Sequence, residues 1–411
     1  MISVGIDVSK EKSMVCIIKP GGEVLAPPYE MLHTMESVLK LINRLSAYDE
    51  EVRVILEATG HYHWPIVCLL LENGIFVSCI NALRMKKYCT QSIRKGKTDR
   101  IDSIKIATYG ISYWNDLVCC KTDTDTYSEL RTYSRQYYQY TTLLVKAKIN
   151  LGSLLDQTMP GIQTLLVDQN GKHKLTNFIR KYWHFGNITN RGEKSFMAGF
   201  CKWAQKEGYH NNESKAKAIY ALSQNGIPVL PNTESTKFLV LEAVRILQEI
   251  EKSRDTILSH MEALANTLPE YSIVLSMGGV GPTLASRVIA EIGDIRCFHS
   301  KNALIAYAGI DSPPFQSGAF VATNRHISKR GNKYLRRTGY EIMQAIMRTK
   351  PSYDSAVYRF ILKKQSEGKS SSVSKIAGLN KFLKIYYARV NEVYRQIDES
   401  LTSDCQIKFS Y

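Results

Sequence analysis

The feature that most constrains this chain is a short apolar strand ending in a carboxylate. Ile2, Val4 and Ile6 alternate with smaller residues and Asp7 follows. Ser9-Lys10-Glu11-Lys12 then turns the chain back into a second apolar run, Met14 to Ile18, which predicts a hairpin. An acid at the end of a central strand is costly unless it is paired or holds a cation. The rest of the chain offers it company. Val52-Arg53-Val54-Ile55-Leu56-Glu57 is another strand-like run closing on an acid, and Lys97-Thr98-Asp99-Arg100-Ile101-Asp102-Ser103 opens a helix with two more. Asp99 and Asp102 share one helix face if the helix begins near Thr98. Thr98 is a plausible N-cap, and acids in a first turn are favoured by the helix dipole alone. Each acid by itself therefore reads as an ordinary capping or surface group. As a set, Asp7, Glu57, Asp99 and Asp102 come from three separated elements and could converge on a divalent metal.

The order of elements sharpens that expectation. Strands near 2–8, 14–19 and 23–28 lead into an amphipathic helix at 35–46. Then come strand 52–57, helix 63–73, strand 75–80 and helices near 83–90 and 100–110. Three strands followed by alternating helix and strand is the order of an α/β RNase H-like domain, here expected over 1–115. In that fold acids at strand ends and on a late helix gather at one edge of the sheet. The net charge of +16 and pI near 9.3 point to a polyanionic partner, or else to a basic soluble protein without one. Arg84, Lys86, Lys87, Arg94, Lys95, Lys97 and Arg100 form a basic segment beside the acids, suited to a phosphate backbone, or else a solvated loop. Nine cysteines without a Cys-x-x-Cys pair fit buried thiols in a reducing cytosol. Lys10, Glu11 and Lys12 interrupt the first apolar segment, so no signal peptide is expected, and no apolar run approaches membrane-spanning length. The expected location is cytoplasmic and nucleoid-associated, with no membrane partner.

From Tyr127 the pattern changes to heptads. Leu130, Tyr137, Leu144 and Leu151 recur every seven residues, interleaved by Tyr133, Tyr140, Ala147 and Leu154 and ended by Pro160-Gly161. Val240, Leu247, Met261 and Leu268 with Ala243, Ile250, Ile257 and Leu264 form a matching series, broken by Arg254. These predict an antiparallel coiled-coil pair over 127–268, within one chain or between chains, or else the core of a helical bundle. Residues 161–234 carry a basic aromatic stretch, Lys181-Tyr182-Trp183-His184-Phe185, to which no chemistry is assigned. A mostly α-helical C-terminal domain is expected over 269–395, followed by a tail at 396–411. Within it, Gly278-Gly279-Val280-Gly281-Pro282 opens a helix, as in a helix-hairpin-helix or a compact helix corner. Arg325, His326, Lys329, Arg330, Lys333, Arg336 and Arg337 form a second basic tract, with Gly331-Asn332 as a turn inside it.

Gly5-Ile6-Asp7-Val8-Ser9-Lys10, Leu56-Glu57-Ala58-Thr59-Gly60 and Lys97-Thr98-Asp99-Arg100-Ile101-Asp102 resemble the DEDD transposases of the insertion-sequence 110 family. Gly279-Val280-Gly281-Pro282, Ala306-Tyr307-Ala308-Gly309, Gln316-Ser317-Gly318 and Ile327-Ser328-Lys329-Arg330-Gly331-Asn332 extend the resemblance, in the family's order. It implies a Holliday-junction-resolvase-like catalytic domain whose four acids bind Mg²⁺, a coiled-coil insert and a C-terminal transposase domain with a nucleophilic serine. By motif that serine is Ser317; Ser312, in a less typical Ser-Pro-Pro, is the runner-up. The resemblance alone implies a bridge RNA that selects donor and target double-stranded DNA. A homo-oligomer, dimer or tetramer, through the coiled coil is also expected.

Physical chemistry supports the same reaction. Clustered carboxylates can hold two Mg²⁺ ions that stabilise charge on attacking and leaving oxygens in phosphoryl transfer. A serine that attacks DNA stores the bond as a phosphoserine ester, so rejoining needs no ATP. Three functions remain open: a recombinase using metal and serine, a metal-dependent structure-specific endonuclease using water, and a nucleic-acid-binding protein whose acids are structural. The long helices and basic C-terminal domain favour the first over the second. The complete acid set disfavours the third.

Overall fold

The structure is a computed structural model that describes residues 1–57, 62–89, 98–120, 125–168, 173–210, 213–313, 316–317, 320–321 and 326–408. Within these, the side chains at 83, 125, 316–317, 320–321 and 401–408 lie outside the description. The chain divides into two compact units, Met1–Thr122 and Asp123–Tyr411.

The first unit is built on five strands: β1 (Ile2–Val8), β2 (Lys12–Ile18), β3 (Val24–Leu32), β4 (Val52–Glu57) and β5 (Phe76–Ile80), in sheet order β3-β2-β1-β4-β5. The first three pair antiparallel, while β1 with β4 and β4 with β5 are parallel. This is the RNase H-like order that the sequence predicts. Four helices flank the sheet: α1 (Met35–Ser46), α2 (Trp64–Glu72), α3 (Ala82–Cys89) and α4 (Asp99–Ser112). Alternation along β1 sends Val4, Ile6 and Val8 into a core with Leu41, Ile42 and Leu45 of α1 and Val67 and Leu70 of α2. The opposite face, carrying Ser3, Gly5 and Ile55, takes α4.

That helix lies unusually close to the strand. A Cβ on Gly5 would stand 2.3 Å from the amide nitrogen of Ala107 and the carbonyl oxygen of Ser103. A Cβ on Gly110 would meet Ser3 Oγ at 2.2 Å and Ile55 Cδ1 at 2.4 Å. The Ser3 hydroxyl donates to the Ala107 carbonyl at 2.7 Å, closing the contact. Glycine is needed at Gly5 because backbone touches backbone there, and at Gly110 because the Ser3 and Ile55 side chains fill the space a Cβ would take.

The second unit is mostly helical. It contains α5 (Asp125–Thr158), α6 (Ile162–Leu165), α7 (Lys174–Lys181), α8 (Gly186–Thr189), α9 (Glu193–Lys206), α10 (Glu213–Asn225) and α11 (Glu234–Ala265). Then follow α12 (Tyr271–Leu275), α13 (Pro282–Ile292), α14 (Lys301–Ala308), a two-residue hairpin β6 (Gln316–Ser317) and β7 (Phe320–Val321), α15 (Lys333–Thr349), α16 (Ala356–Ser366) and α17 (Ser371–Lys408). The final helix therefore continues through 396–408, where the sequence reading places a tail. An apolar ladder sustained from Leu379 through Tyr386 to Tyr394 docks it on the C-terminal core.

The two heptad series face each other antiparallel inside one chain, one of the arrangements the sequence leaves open. Tyr127 and Leu130 at the start of α5 share a core with Met261 and Ala265 at the end of α11 and with the C-terminal helices. Leu144, Leu151 and Leu155 share another with Val240, Val244 and Leu247 and with the short helices α6–α10. A buried knot ties the first of these cores together. Glu270, 1% exposed, accepts the hydroxyls of Tyr127 and Tyr394 at 2.6 Å each, joining α5, the start of the C-terminal segment and α17. The phenols make burial of that carboxylate affordable. Burial, and then the neighbouring Glu270 carboxylate, push both phenols upward from their ordinary pKa.

Candidate active site and nucleic-acid surfaces

Asp7 and Glu57 are placed by strand register. Ile6 pairs with Leu56 in the parallel ladder, so the next residues, Asp7 and Glu57, stand side by side at the carboxyl ends of β1 and β4. Alternation puts both on the face that carries Gly5 and Ile55, beneath α4. That helix runs back along β1: Gly110 sits over Ser3 and Ala107 with Ser103 over Gly5. One further turn brings its first residues toward Asp7. Thr98 caps it by accepting the Ile101 amide at 3.3 Å, with Asp99 and Asp102 in the first turn. All four acids therefore belong to one edge of one sheet.

Local electrostatics agree with this placement. Burial pushes the Cys89 thiol upward at the end of α3; Lys105 opposes the shift, while Asp102 and Glu57 both add to it. Those two carboxylates thus act on the same point. Lys105 Nζ is 3.9 Å from Asp102. The Lys12 ammonium is raised chiefly by its 2.7 Å hydrogen bond to Glu30, and Asp99 adds to the shift. Among the described residues, however, no three His, Cys, Asp or Glu side chains are gathered to hold a metal ion. The donor set is all oxygen and suits a hard cation such as Mg²⁺.

The basic residues predicted near this edge divide into different kinds. Arg84, Lys86 and Lys87 lie exposed on α3, but the Arg84 guanidinium also stacks over Tyr109 at 5.7 Å and Tyr113 at 5.6 Å, holding α3 to α4. Arg94, Lys95 and Lys97 lie outside the described residues. Lys12, Lys105 and Cys89 border the acids without having been singled out from sequence; the i,i+3 spacing of Asp102 and Lys105 is the one available signal.

In the second unit, the segment before the second basic tract is pinned. The Ser328 hydroxyl donates to Asp311, the Ser328 amide donates to the Asp311 carbonyl at 2.8 Å, and Ser312 Oγ lies 3.5 Å from the His326 carbonyl. These contacts close the neck of the loop that carries β6 and β7, where Ser317 pairs with Phe320. The Ser317 side chain and all of Arg325 lie outside the described residues. Lys329 has φ 52°, rare for a residue with a side chain, and its amide donates to Gly309 at 3.0 Å. Gly331 is packed so tightly that a Cβ would stand 2.3 Å from the Tyr307 carbonyl. Asn332 caps α15 by accepting from the Tyr334 and Leu335 amides at 2.9 and 3.1 Å. Lys329, Arg330 and Lys333 are consequently exposed on a rigid turn.

Two other residues of the tract have structural duties. Arg336 donates to the Ala308 carbonyl at 2.9 Å, closing the end of α14. Arg337 pairs with Glu341 at 3.0 Å and stacks over Tyr138 at 4.4 Å. The glycine corner before α13 is similarly occupied. Asp354 accepts the Gly278 amide at 3.2 Å, and a Cβ on Gly279 would clash with Ile346 Cγ1 at 2.7 Å. Those two glycines serve helix packing. Among the described residues no helix is long and apolar enough to cross a membrane.

The chain is similar in sequence to known proteins. The DEDD transposase model of insertion sequence 110, described as transposase, matches residues 4–160, which contain all four acids. A model described as the transposase IS116/IS110/IS902 family matches residues 271–359, which contain Ser317 and the basic tract. The chain is 25% identical over 375 residues to an uncharacterized 44.8 kDa protein of insertion element IS116 from Streptomyces clavuligerus, with 89% of each chain covered. It is 29% identical over 392 residues to a pilin gene-inverting protein of Moraxella bovis, with 95% of each covered. Among solved structures, it is similar to Thermus thermophilus RuvC at 13% identity, over 28% of this chain and 96% of that one, with a TM-score of 0.23. Two models of one family in tandem, and relatives aligned over most of their length, establish that the chain belongs to the insertion-sequence 110 family of DEDD transposases, enzymes of DNA recombination.

Proposed function

We propose that the protein cleaves and rejoins DNA at the ends of its own element and at a target, through a phosphoserine at Ser317 and with Mg²⁺ held by Asp7, Glu57, Asp99 and Asp102. The observation that supports this reading is the register that sets Asp7 beside Glu57 at two strand ends, with the helix that opens on Asp99 and Asp102 packed on the same sheet face. Gly5 lets the helix backbone touch the strand there. When bound, two ions would supply charge stabilisation at the attacking and leaving oxygens. Ser317 forms the new bond to phosphorus as the scissile phosphodiester bond breaks and releases a hydroxyl-ended strand. A strand hydroxyl then attacks the phosphoserine and releases the serine, so the bond count is conserved. The rigid turn of Lys329, Arg330 and Lys333 is suited to hold the phosphate backbone.

The family resemblance supports a bridge RNA as the selector of both DNA sites. Association of copies through the long helices is supported by apolar side chains left exposed on them: Val145 (53%) and Ile149 (68%) on α5, Leu239 (51%) and Ile246 (43%) on α11. Replacing Val145 and Ile149 by Glu should shift the protein to smaller species in light scattering while its helical circular dichroism is kept. Unchanged mass would remove these faces from any assembly.

Incubating the wild-type protein and its guide with labelled DNA that spans an element end tests the chemistry. A cleaved strand that migrates with protein on a denaturing gel is expected. Clean cleavage with no adduct would assign the reaction to water and make the protein a structure-specific endonuclease. Changing Lys329, Arg330 and Lys333 to Gln should lower the log–log salt slope of DNA affinity by about 0.9 for each lost phosphate contact. An unaltered slope would place these cations away from the backbone.

A further inference from the structure

The basic aromatic stretch at 181–185 separates cleanly in the fold. Tyr182 is 0% exposed, Phe185 1%, His184 6% and Trp183 7%, so its aromatic half is core. His184 is satisfied within the chain: its Nδ1 accepts the Gly186 amide and its Nε2 faces the Leu230 carbonyl, both at 2.9 Å. The cationic half is at the surface and does not stand alone. Lys181 Nζ donates to the Gly199 carbonyl on α9 at 3.2 Å and lies 5.2 Å from the Tyr182 ring. The Arg191 guanidinium approaches the same ring at 5.6 Å. Gly199, Lys202 and Lys206 are spaced i, i+3 and i+7 on α9 and share one helix face. Lys181, Arg191, Lys202 and Lys206 thus crowd together, and all four are exposed.

Their mutual effect is repulsive. The Lys181 ammonium is held below its ordinary pKa first by partial burial and then by Arg191, Lys206 and Lys202, a set of cations. The neighbouring Glu207 is turned to Asn177, whose amide donates to it at 3.2 Å. Residues 161–233 hold ten Lys and Arg against four Asp and Glu, so the excess belongs to the whole helical layer. Like charges placed together on a rigid surface cost stability unless an anion is there to meet them.

We infer that Lys181, Arg191, Lys202 and Lys206 form a phosphate-binding face on the short-helix layer. This face grips nucleic-acid backbone with residues that belong to neither basic tract, 84–100 or 325–337. The inference rests on the reading that the protein works on nucleic acid, and assigns a role to the segment between the two long helices. Backbone phosphate is common to DNA and RNA, and either strand chemistry satisfies the face.

The test uses the full chain carrying Arg191→Gln, Lys202→Gln and Lys206→Gln together. Gln keeps helix propensity on α9 and leaves the Lys181 contact to Gly199 in place. A control carries Lys194→Gln, Lys215→Gln and Lys217→Gln, with the same change in net charge. Fluorescence anisotropy over a salt series, with a mixed-sequence DNA duplex and with a hairpin RNA, gives the slopes. The face variant should lose up to about 2.7 units of log–log slope on duplex DNA, or about 2 on single-stranded RNA segments, and the control far less. Loss confined to one probe supports the inference and identifies the strand. Slopes and affinities unchanged on both probes, or an equal loss in the control, would overturn it. If the wild type bound neither probe, the nucleic-acid reading itself would fall, a distinguishable result.

Discussion

Asp7→Asn should abolish strand cleavage while leaving nucleic-acid affinity nearly intact. Asp7 stands beside Glu57 in register at the carboxyl ends of β1 and β4, with Asp99 and Asp102 opening the helix laid across the same face. Asn keeps the shape and removes the negative charge. An amide is a poor ligand for a hard cation where a carboxylate is required. Loss of the charge stabilisation such a site supplies, several kcal/mol, corresponds to a fall in rate on the order of a thousandfold or more. The contrast with binding is what makes the variant informative. The basic residues proposed to meet the phosphate backbone keep their charge when Asp7 loses its own. Gel-shift affinity for DNA should therefore stay within about twofold by the same arithmetic. Cleavage at the wild-type rate would remove Asp7 from the chemistry.

Ser317→Ala should abolish both recombination and the covalent protein–DNA adduct. The serine belongs to a short hairpin whose neck is closed by Asp311, Ser312, His326 and Ser328, and the basic turn at 329–333 follows at once. Its backbone pairs as a strand with Phe320 and is not part of a helix. Activation of the hydroxyl would come from neighbouring cations and bound metal. Ser312 is the check on this assignment. Its hydroxyl already faces the His326 carbonyl, a role in closing the neck. An adduct that survives Ser317→Ala and disappears in Ser312→Ala would move the nucleophile five residues upstream.

Much of the acid edge was legible because periodicity and spacing report backbone geometry directly. The alternation of Ile2, Val4 and Ile6 fixes which face Asp7 takes, and the capping Thr98 fixes where the helix holding Asp99 and Asp102 begins. Gly5 and Gly110 were less legible. A glycine in a strand or helix signals permission for close approach, and only the fold shows that the partners are Ala107, Ser103, Ser3 and Ile55. The same limit applies to charge. Arg336, Arg337 and Lys333 look alike in the sequence, yet one closes a helix end, one pairs with Glu341, and Lys333 stays exposed on the rigid turn. The heptads announced two long helices but could not say whether their seam joined chains or folded one chain back on itself. The ring stack of Lys181 and Arg191 over Tyr182 joins residues ten apart across a turn, a pairing that no helical or strand period encodes.

The proposed chemistry depends on Asp7, Glu57, Asp99 and Asp102 holding metal together. Calorimetric titration of the wild-type protein with Mg²⁺ or Mn²⁺, compared with Asp7→Asn and Asp102→Asn, measures this most directly. Saturable binding in the wild type, lost in both variants although one residue sits on a strand and the other on a helix, is the predicted result. Binding that is unchanged in either variant would contradict it.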